Sequence, residues 1–284
     1  MRNQKPGSCR DMINRLLFLF SLLAAGLAAS NALAEEAAPA KPILKRPSAD
    51  TEVLSLIQSA NGLSVYKEMY LLPVTVANRY NGAQTEMEFQ LSVKERILSS
   101  NFYFGYTQKS FWQAYDFANS SPFRETNYNP EIFYRTGGTD VHIGQWKMDV
   151  GFEHESNGQS GAISRSWNRV YIAPYLPRHD SLWYLKLWYR IPVDLGVDDN
   201  PDILDYMGYG ELHFKKRFGH GQLIHAMLRG NPETGYGAIS INYSIPGPSD
   251  NYFYLIRLFS GYGESLIDYN HEVNRIGFGI ILAR

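Results

Sequence analysis

Trp146-Lys147-Met148-Asp149-Val150-Gly151-Phe152-Glu153-His154-Glu155-Ser156 places apolar side chains at its first even positions and charged or minimal ones at the odd positions between them. Successive side chains of a β-strand point to opposite faces, so the pattern specifies a strand with one greasy face and one charged face. The even series runs on into His154 and Ser156. Beyond the intervening loop, Asn168 is in phase with Val170 and Ile172, which gives a second strand the same apolar face. A serine, a histidine and an asparagine therefore share one end of an apolar surface whose reverse side is ionic.

The same period recurs from Tyr70 to the C-terminus. Met87, Phe89, Leu91 and Val93 alternate with Glu88, Gln90, Ser92 and Lys94, and Phe102, Phe104 and Tyr106 follow across a Ser-Ser-Asn turn. Trp183, Leu185, Leu187, Tyr189 and Ile191 oppose Tyr184, Lys186, Trp188 and Arg190; Ile239, Ile241, Tyr243 and Ile245 oppose Ser240, Asn242 and Ser244; Ile276, Phe278, Ile280 and Leu282 close the chain. Each run has the length of a tilted membrane strand. Asp198-Asp199-Asn200-Pro201-Asp202 and Pro246-Gly247-Pro248-Ser249-Asp250 supply turn chemistry between runs, and Tyr and Trp gather near the run ends, as at the two membrane interfaces. The chain has 20 Tyr, 15 Phe and 24 Gly, yet its mean hydropathy is negative. Polar lumen residues cancelling apolar lipid-facing ones produce that average. A strand and its loop every ~20 residues predict about a dozen strands, an even number in bacterial barrels. The fold class is thus all-β, an antiparallel transmembrane β-barrel. Its last strand ends in Leu282-Ala283-Arg284, without a terminal aromatic residue.

The N-terminus reads as a targeting segment. Arg2, Lys5, Arg10 and Arg15 precede or enter an apolar run from Leu16 to Ala28, and Ala32-Leu33-Ala34 fits a small-residue cleavage site. The expected organisation is a signal peptide at 1–34, a flexible periplasmic leader at 35–60 rich in Ala, Pro and charge, and a barrel domain at 61–284. The single cysteine, Cys9, falls in the signal, so the mature chain makes no disulfide. Removing 1–34 takes away four basic residues and one acidic one and leaves a net charge near −4. Nothing in that balance suggests a nucleic-acid partner.

A hairpin centred on Gly161 puts His154 directly opposite Asn168. Cβ atoms of such a pair are about 5 Å apart, close enough for an amide oxygen to accept from imidazole Nδ1–H. Ser156, two residues along on the same face, lies within reach of the other ring nitrogen. This is nucleophile, base and orienter in the order that acyl transfer requires. The competing reading is a solvated strand rim, where His, Ser and Asn are common. His154-Glu155 lacks the second histidine of an HExxH zinc site, and no GxSxG elbow is present. Asn119-Ser120-Ser121 matches a glycosylation sequon and is read as a loop.

Longer motifs then coincide. Tyr106-Thr107-Gln108-Lys109-Ser110, the stretch Ser120-Ser121-Pro122-Phe123-Arg124-Glu125-Thr126-Asn127-Tyr128, the HESNG…SRSWNR hairpin, Asp199-Asn200-Pro201-Asp202, Tyr206-Met207-Gly208-Tyr209 and Gly261-Tyr262-Gly263-Glu264-Ser265-Leu266-Ile267-Asp268-Tyr269-Asn270 together resemble the outer membrane phospholipase A family from about Met87 onward. The resemblance implies a twelve-stranded barrel in the bacterial outer membrane, with its active site on the outer wall facing the outer leaflet. It implies hydrolysis of glycerophospholipid acyl esters (A1, A2 and lysophospholipase activities), with Ser156 as nucleophile, His154 as general base and acid, and Asn168 as its orienter. Calcium is implied as cofactor, held by the Gln159 carbonyl and Ser164 hydroxyl of one subunit and by Ser120 of the partner subunit. Backbone amides of Ser156 and Gly158 are implied as oxyanion donors. An active homodimer, with Gln108 making a polar contact at its interface, completes what the family carries over.

Two positions depart from the family. Gln159 replaces an arginine, harmless where only the carbonyl is used, and Gly161 replaces an aspartate tied to calcium binding by the monomer. One subunit is then expected to offer only neutral oxygens, unless an acidic residue such as Asp116 reaches the loop. The alternative to an enzyme is a passive porin or structural barrel, although Glu88, Lys94, Lys186 and Arg190 would largely fill so narrow a lumen.

Overall fold

The computed structural model describes residues 53, 54, 56, 57, 63–137, 142–194, 198–248 and 252–284. The expected signal peptide and most of the 35–60 leader lie outside these residues. A two-residue piece, β1 (Ser64–Val65), precedes twelve strands: β2 (Met69–Ala77), β3 (Met87–Arg96), β4 (Phe102–Trp112), β5 (Phe123–Arg135), β6 (Lys147–Ser156), β7 (Ser166–Pro177), β8 (Ser181–Arg190), β9 (Gly210–Phe218), β10 (Gln222–Gly230), β11 (Gly237–Pro246), β12 (Phe253–Gly261) and β13 (Val273–Ala283). Each strand pairs antiparallel with its sequence neighbour, and β13 pairs with β2 to close the ring. Closure leaves no edge, the condition for a sheet to stand in hydrocarbon. The chain is therefore a closed twelve-stranded antiparallel β-barrel, as the alternation predicts. Among the described residues no helix is long and apolar enough to cross a membrane.

One end of the barrel carries the start of β2, the end of β13 and mostly tight turns, such as 178–180 and 219–221. The other carries longer connections at 113–122, 157–165, 191–209 and 262–272, the last but one containing α1 (Ile203–Met207). Short turns at one rim and long loops at the other are the usual asymmetry of outer-membrane barrels.

The period-two phase separates the two faces as read from sequence. Val150, Phe152, Val170 and Ile172 are exposed on the outside, while Asp149, Glu153 and Arg169 are buried inside. The lumen is packed with ion pairs, among them Lys186–Glu153 at 2.8 Å, Lys67–Glu131 at 3.1 Å, Arg257–Glu88 at 3.1 Å and Arg275–Glu86 at 2.7 Å. Gly151 has a specific reason to lack a side chain. A Cβ there would come within 2.7 Å of the Tyr171 ring and hydroxyl, and that hydroxyl reaches over β6 along the inner wall to donate to Glu131 of β5 at 2.6 Å.

Both mouths are filled. At the loop end, Ile203 and Met207 of α1 join Leu266 and Tyr269 against Trp167, Tyr171 and Trp188. At the turn end, Val53, Leu54 and Ile57 pack on Tyr175, Leu182 and Leu223. These three residues belong to the stretch read as a flexible leader, yet they are buried. Their run is too short to show a period, which is why the sequence did not mark them. Arg135 holds them in place: its Nη1 donates to the Ile57 carbonyl at 2.8 Å, and its Nε and Nη2 donate to Asp149 at 2.8 and 2.6 Å. Arg284, in place of a terminal aromatic, turns back over the Phe253 ring and donates to Ser244 Oγ at 2.8 Å. A cavity of about 170 Å³ remains in the middle, lined by charged groups including Lys109, Glu153, Lys186 and Arg229.

Arg135→Met is expected to leave Asp149 buried without its counter-charge and to free the carbonyls of the 53–57 segment. Removing one partner of a buried pair costs about 3–5 kcal/mol. Urea unfolding of the detergent-folded barrel measures it; a change within experimental error would show that the turn-end plug contributes nothing to stability.

Candidate active site

β6 and β7 form a hairpin in which His154 pairs with Asn168 and Ser156 with Ser166. His154 Nδ1 lies 2.9 Å from Asn168 Oδ1. An amide oxygen only accepts, so Nδ1 carries a proton, and in the neutral ring the lone pair is then on Nε2. The tautomer that can take a proton from a serine is thereby selected. Ser156 stands on the same outward face, and its Oγ makes no hydrogen bond among the described residues. In the absence of substrate such a bond is commonly long and tightens in the reacting complex. Below the three residues the outer wall is apolar, with Val150, Phe152, Val170 and Ile172 exposed.

The inner face fixes the same strands. Glu155, between His154 and Ser156, accepts from Trp167 Nε1 at 3.0 Å and from Arg169 Nη2 at 2.8 Å. The Arg169 guanidinium lies over the Trp167 ring, 3.7 Å from its centroid, and Arg169 Nε pairs with Glu153 at 3.0 Å.

At Gly158 the backbone turns into the left-handed region with φ +64°, and a Cβ there would meet the Tyr128 ring at 3.2 Å. Glycine meets both demands. The two amides implied as oxyanion donors are not equivalent. Asn157 N–H bonds the Arg165 carbonyl on the β7 side, so the even residues of β6 direct their backbone groups toward β5. Ser156 faces Tyr128 there, which places its N–H in the ladder, whereas Gly158 lies beyond the end of β6.

The loop from 157 to 165 is organised by Asn157, a residue that sequence reasoning did not single out. Buried at the hairpin mouth, its Oδ1 accepts from Gln159 N–H at 3.3 Å and Arg165 N–H at 3.0 Å, and its Nδ2 donates to the Ile163 carbonyl at 2.8 Å. An asparagine preceding glycine in a loop is the available signal for this kind of side-chain-built turn. Gln159 and Gly161 are exposed, and a Cβ added at Gly161 would meet nothing within 4 Å. Ser164 Oγ donates to Asp199 Oδ2 at 2.6 Å, and Ser166 N–H bonds Asn200 Oδ1 at 3.0 Å. Residues 198–209 thus fold back onto the hairpin and correct one expectation: a single subunit does hold a carboxylate, that of Asp199, beside the loop expected to bind calcium. Asp116 plays no such part. It is buried in its own loop and accepts from Asn119 Nδ2 at 3.1 and 2.9 Å.

Ser120 is exposed at the tip of the 113–122 connection with φ 63°. Among the described residues no cluster of three or more His, Cys, Asp or Glu is placed to hold a metal. The oxygen set of Gln159, Ser164 and Asp199 is nonetheless of the hard kind that suits calcium. Gln108 faces outward from β4, accepts from Tyr106 OH at 3.0 Å and donates to Ser110 Oγ at 3.3 Å.

The Phospholipase A1 family profile matches residues 52–282. A phospholipase A1 of Escherichia coli is 40% identical over 211 residues, 71% of this chain and 71% of that protein. A relative from Neisseria meningitidis is 38% identical over 251 residues, which are 78% of this chain and 65% of the relative's own length. Two solved structures superpose closely. Outer membrane phospholipase A from Escherichia coli has a TM-score of 0.70 at 36% identity, covering 78% of this chain and 98% of that one. The Salmonella typhi outer membrane phospholipase, described as a dimer with bound calcium, has a TM-score of 0.71 at 36% identity, covering 83% and 98%. With the profile spanning the whole barrel and the catalytic-type hairpin in register, this chain belongs to the phospholipase A1 family, that of the outer membrane phospholipases A.

Proposed function

We propose that the protein is a calcium-dependent phospholipase of the outer membrane. It hydrolyses acyl esters of glycerophospholipids through Ser156, His154 and Asn168, at both glycerol positions and on lysophospholipids. The observation that carries this reading is the 2.9 Å contact of His154 Nδ1 with Asn168 Oδ1, on an outward face shared with Ser156 and at the top of an apolar wall. The long-loop rim faces outward from the cell, so the site meets lipids of the outer leaflet.

In the first half-reaction Ser156 Oγ attacks the ester carbonyl while His154 Nε2 takes its proton. Asn168 holds the imidazolium so formed, and a neutral orienter avoids the cost of desolvating a carboxylate beside hydrocarbon. The negative charge that develops on the carbonyl oxygen faces the Gly158 N–H. His154 then returns the proton to the departing glycerol oxygen, and a water activated by the same nitrogen releases the fatty acid. Calcium, held by the Gln159 carbonyl and Ser164 hydroxyl with Ser120 of the partner subunit, would add positive charge beside that oxyanion.

The active species in this reading is a homodimer meeting near Gln108. Since Gln108 is already bonded to Tyr106 and Ser110 in its own chain, contact across the interface re-pairs this amide and does not rescue an unsatisfied one. The porin alternative loses support from a lumen filled at both mouths by buried side chains. Residues 1–34 are proposed as a cleaved signal peptide and 61–284 as the catalytic barrel.

Ser156→Ala and His154→Ala should each lower mixed-micelle hydrolysis of a phosphatidylethanolamine by about 10⁴-fold or more, with Asn168→Ala retaining more activity because it acts only through His154. A heat-modifiable electrophoretic shift verifies that each variant is folded; near-normal activity in folded Ser156→Ala would overturn the assignment.

Chelation should abolish turnover and calcium restore it. Asp199→Asn should raise the calcium needed for half-maximal activity by roughly tenfold, equivalent to ~1.4 kcal/mol. Gly161→Asp, whose Cβ meets no neighbour although the backbone there has φ +66°, a region aspartate tolerates better than most residues, should lower it. Full activity in chelator would remove calcium from the mechanism, and an unchanged requirement in Asp199→Asn would remove that carboxylate from the site.

A further inference from the structure

The β5–β6 ladder breaks opposite the histidine, and the break has an identifiable cause. Tyr128 pairs with Ser156, and pairing resumes at Glu131 with Glu153. The two pairs skipped are those that need an N–H from Pro130, which has none. Even residues of β6 point their carbonyls at β5, so the carbonyl of His154 is the one left without a ladder donor. Asn129 supplies it: its Nδ2 lies 2.9 Å from the His154 oxygen. Asn129 is buried on the lumen side. Its Oδ1 is held by Lys67 Nζ at 3.3 Å, and Nδ2 also lies 3.4 Å from Glu153 Oε2.

We infer that Asn129 is a positioning residue for the catalytic base: a side-chain amide inside the barrel replaces the missing backbone bond at Pro130 and fixes the His154 peptide, and with it the direction in which the imidazole leaves the wall. The inference rests on His154 being the base of the proposed esterase. The ring is aligned at one end by Asn168 and at the other by its own Cα–Cβ bond, whose direction the 154–155 peptide sets. A buried carbonyl without a donor costs free energy until the strand shifts to find one. Displacements of about 1 Å at a reacting group cost up to roughly a hundredfold in rate.

The experiment is a double-substitution cycle on purified barrel in mixed micelles, with Ser156→Ala as the zero-activity control. Asn129→Ala should lower kcat by roughly ten- to a hundredfold with KM within about twofold of wild type. Adding Pro130→Ala restores an N–H at the position that faces His154 O, and the Asn129→Ala/Pro130→Ala protein should recover most of the lost kcat. A loss of bulk packing would not respond to a backbone N–H in this way. Should Asn129→Ala fail to fold, Asn129→Asp keeps the size and the oxygen that Lys67 holds while removing the donor, and it should show the same fall in kcat. Wild-type-like kcat in folded Asn129→Ala or Asn129→Asp overturns the inference, as does a loss in Asn129→Ala that Pro130→Ala leaves unrepaired. If wild type shows no hydrolysis above Ser156→Ala, the enzyme reading itself has failed, a result distinct from either.

Discussion

A barrel wall is one residue thick, and most of what this structure does follows from that. Along β6, His154 and Ser156 face the membrane side while Glu153, Glu155 and Asn157 face inward or into the hairpin mouth. A site on the outside of such a wall cannot be buttressed by a shell of packed side chains, because the space around it belongs to lipid. Its support must come through the backbone, from the residues in between. Glu153 is tied to Lys186 and Arg169, Glu155 to Trp167 and Arg169, and Asn157 to three backbone groups of its own loop. The ionic lumen is in this sense the core on which the outer residues stand.

That core is built from groups that are costly to bury. Each charge taken out of water loses several kcal/mol of hydration, offset only when a partner and further hydrogen bonds are close. The lumen meets the condition with interleaved pairs and with aromatic faces under the cations, such as Lys186 over Tyr171 at 4.0 Å and Arg124 over Tyr80 at 4.0 Å. Apolar residues gather at the mouths, where loops and the 53–57 segment bring enough surface together to exclude water. Backbone exceptions are placed where a neighbour needs them. Gly151 makes room for Tyr171, and the N–H missing at Pro130 is replaced by Asn129.

The strand phase was legible in the sequence because a period of two depends on nothing but neighbouring residues. The His154–Asn168 pair was legible for a related reason: a short loop and an uninterrupted ladder set its register locally. What could not be read depends on closure of the ring. Ser164 and Asp199 are joined because residues 198–209 fold back over the hairpin, and Val53, Leu54 and Ile57 find their partners only once β7, β8 and β10 have formed a wall around them. Asp116, equally acidic and nearer to Ser120 in sequence, is consumed by Asn119. Asp116 was the acidic residue the sequence suggested for the loop, and the folded chain brings Asp199 to Ser164 instead. Asn129-Pro130 was visible as letters, but its meaning required knowing which strand Pro130 faces on each side.

Under the proposed reading, the hydrogen bond from Ser164 to Asp199 also bears on how the rim receives a cation. A serine hydroxyl can spend its proton or its lone pairs on a neighbour. At 2.6 Å from a carboxylate it spends the proton, which leaves both lone pairs directed elsewhere and raises the negative charge on the oxygen. The Gln159 carbonyl belongs to the loop that Asn157 holds in shape through the Gln159 N–H. One subunit thus presents two oxygens on a braced loop with a carboxylate behind them, too few to satisfy an ion that takes six to eight oxygen ligands. Ser120 is exposed on a neighbouring loop in a conformation fixed by its own turn, so a second copy could add its hydroxyl without either loop reorganising. Dimerisation would then add a protein ligand to the site, with water filling the remaining positions, and the catalytic hairpin would need no rearrangement to become active.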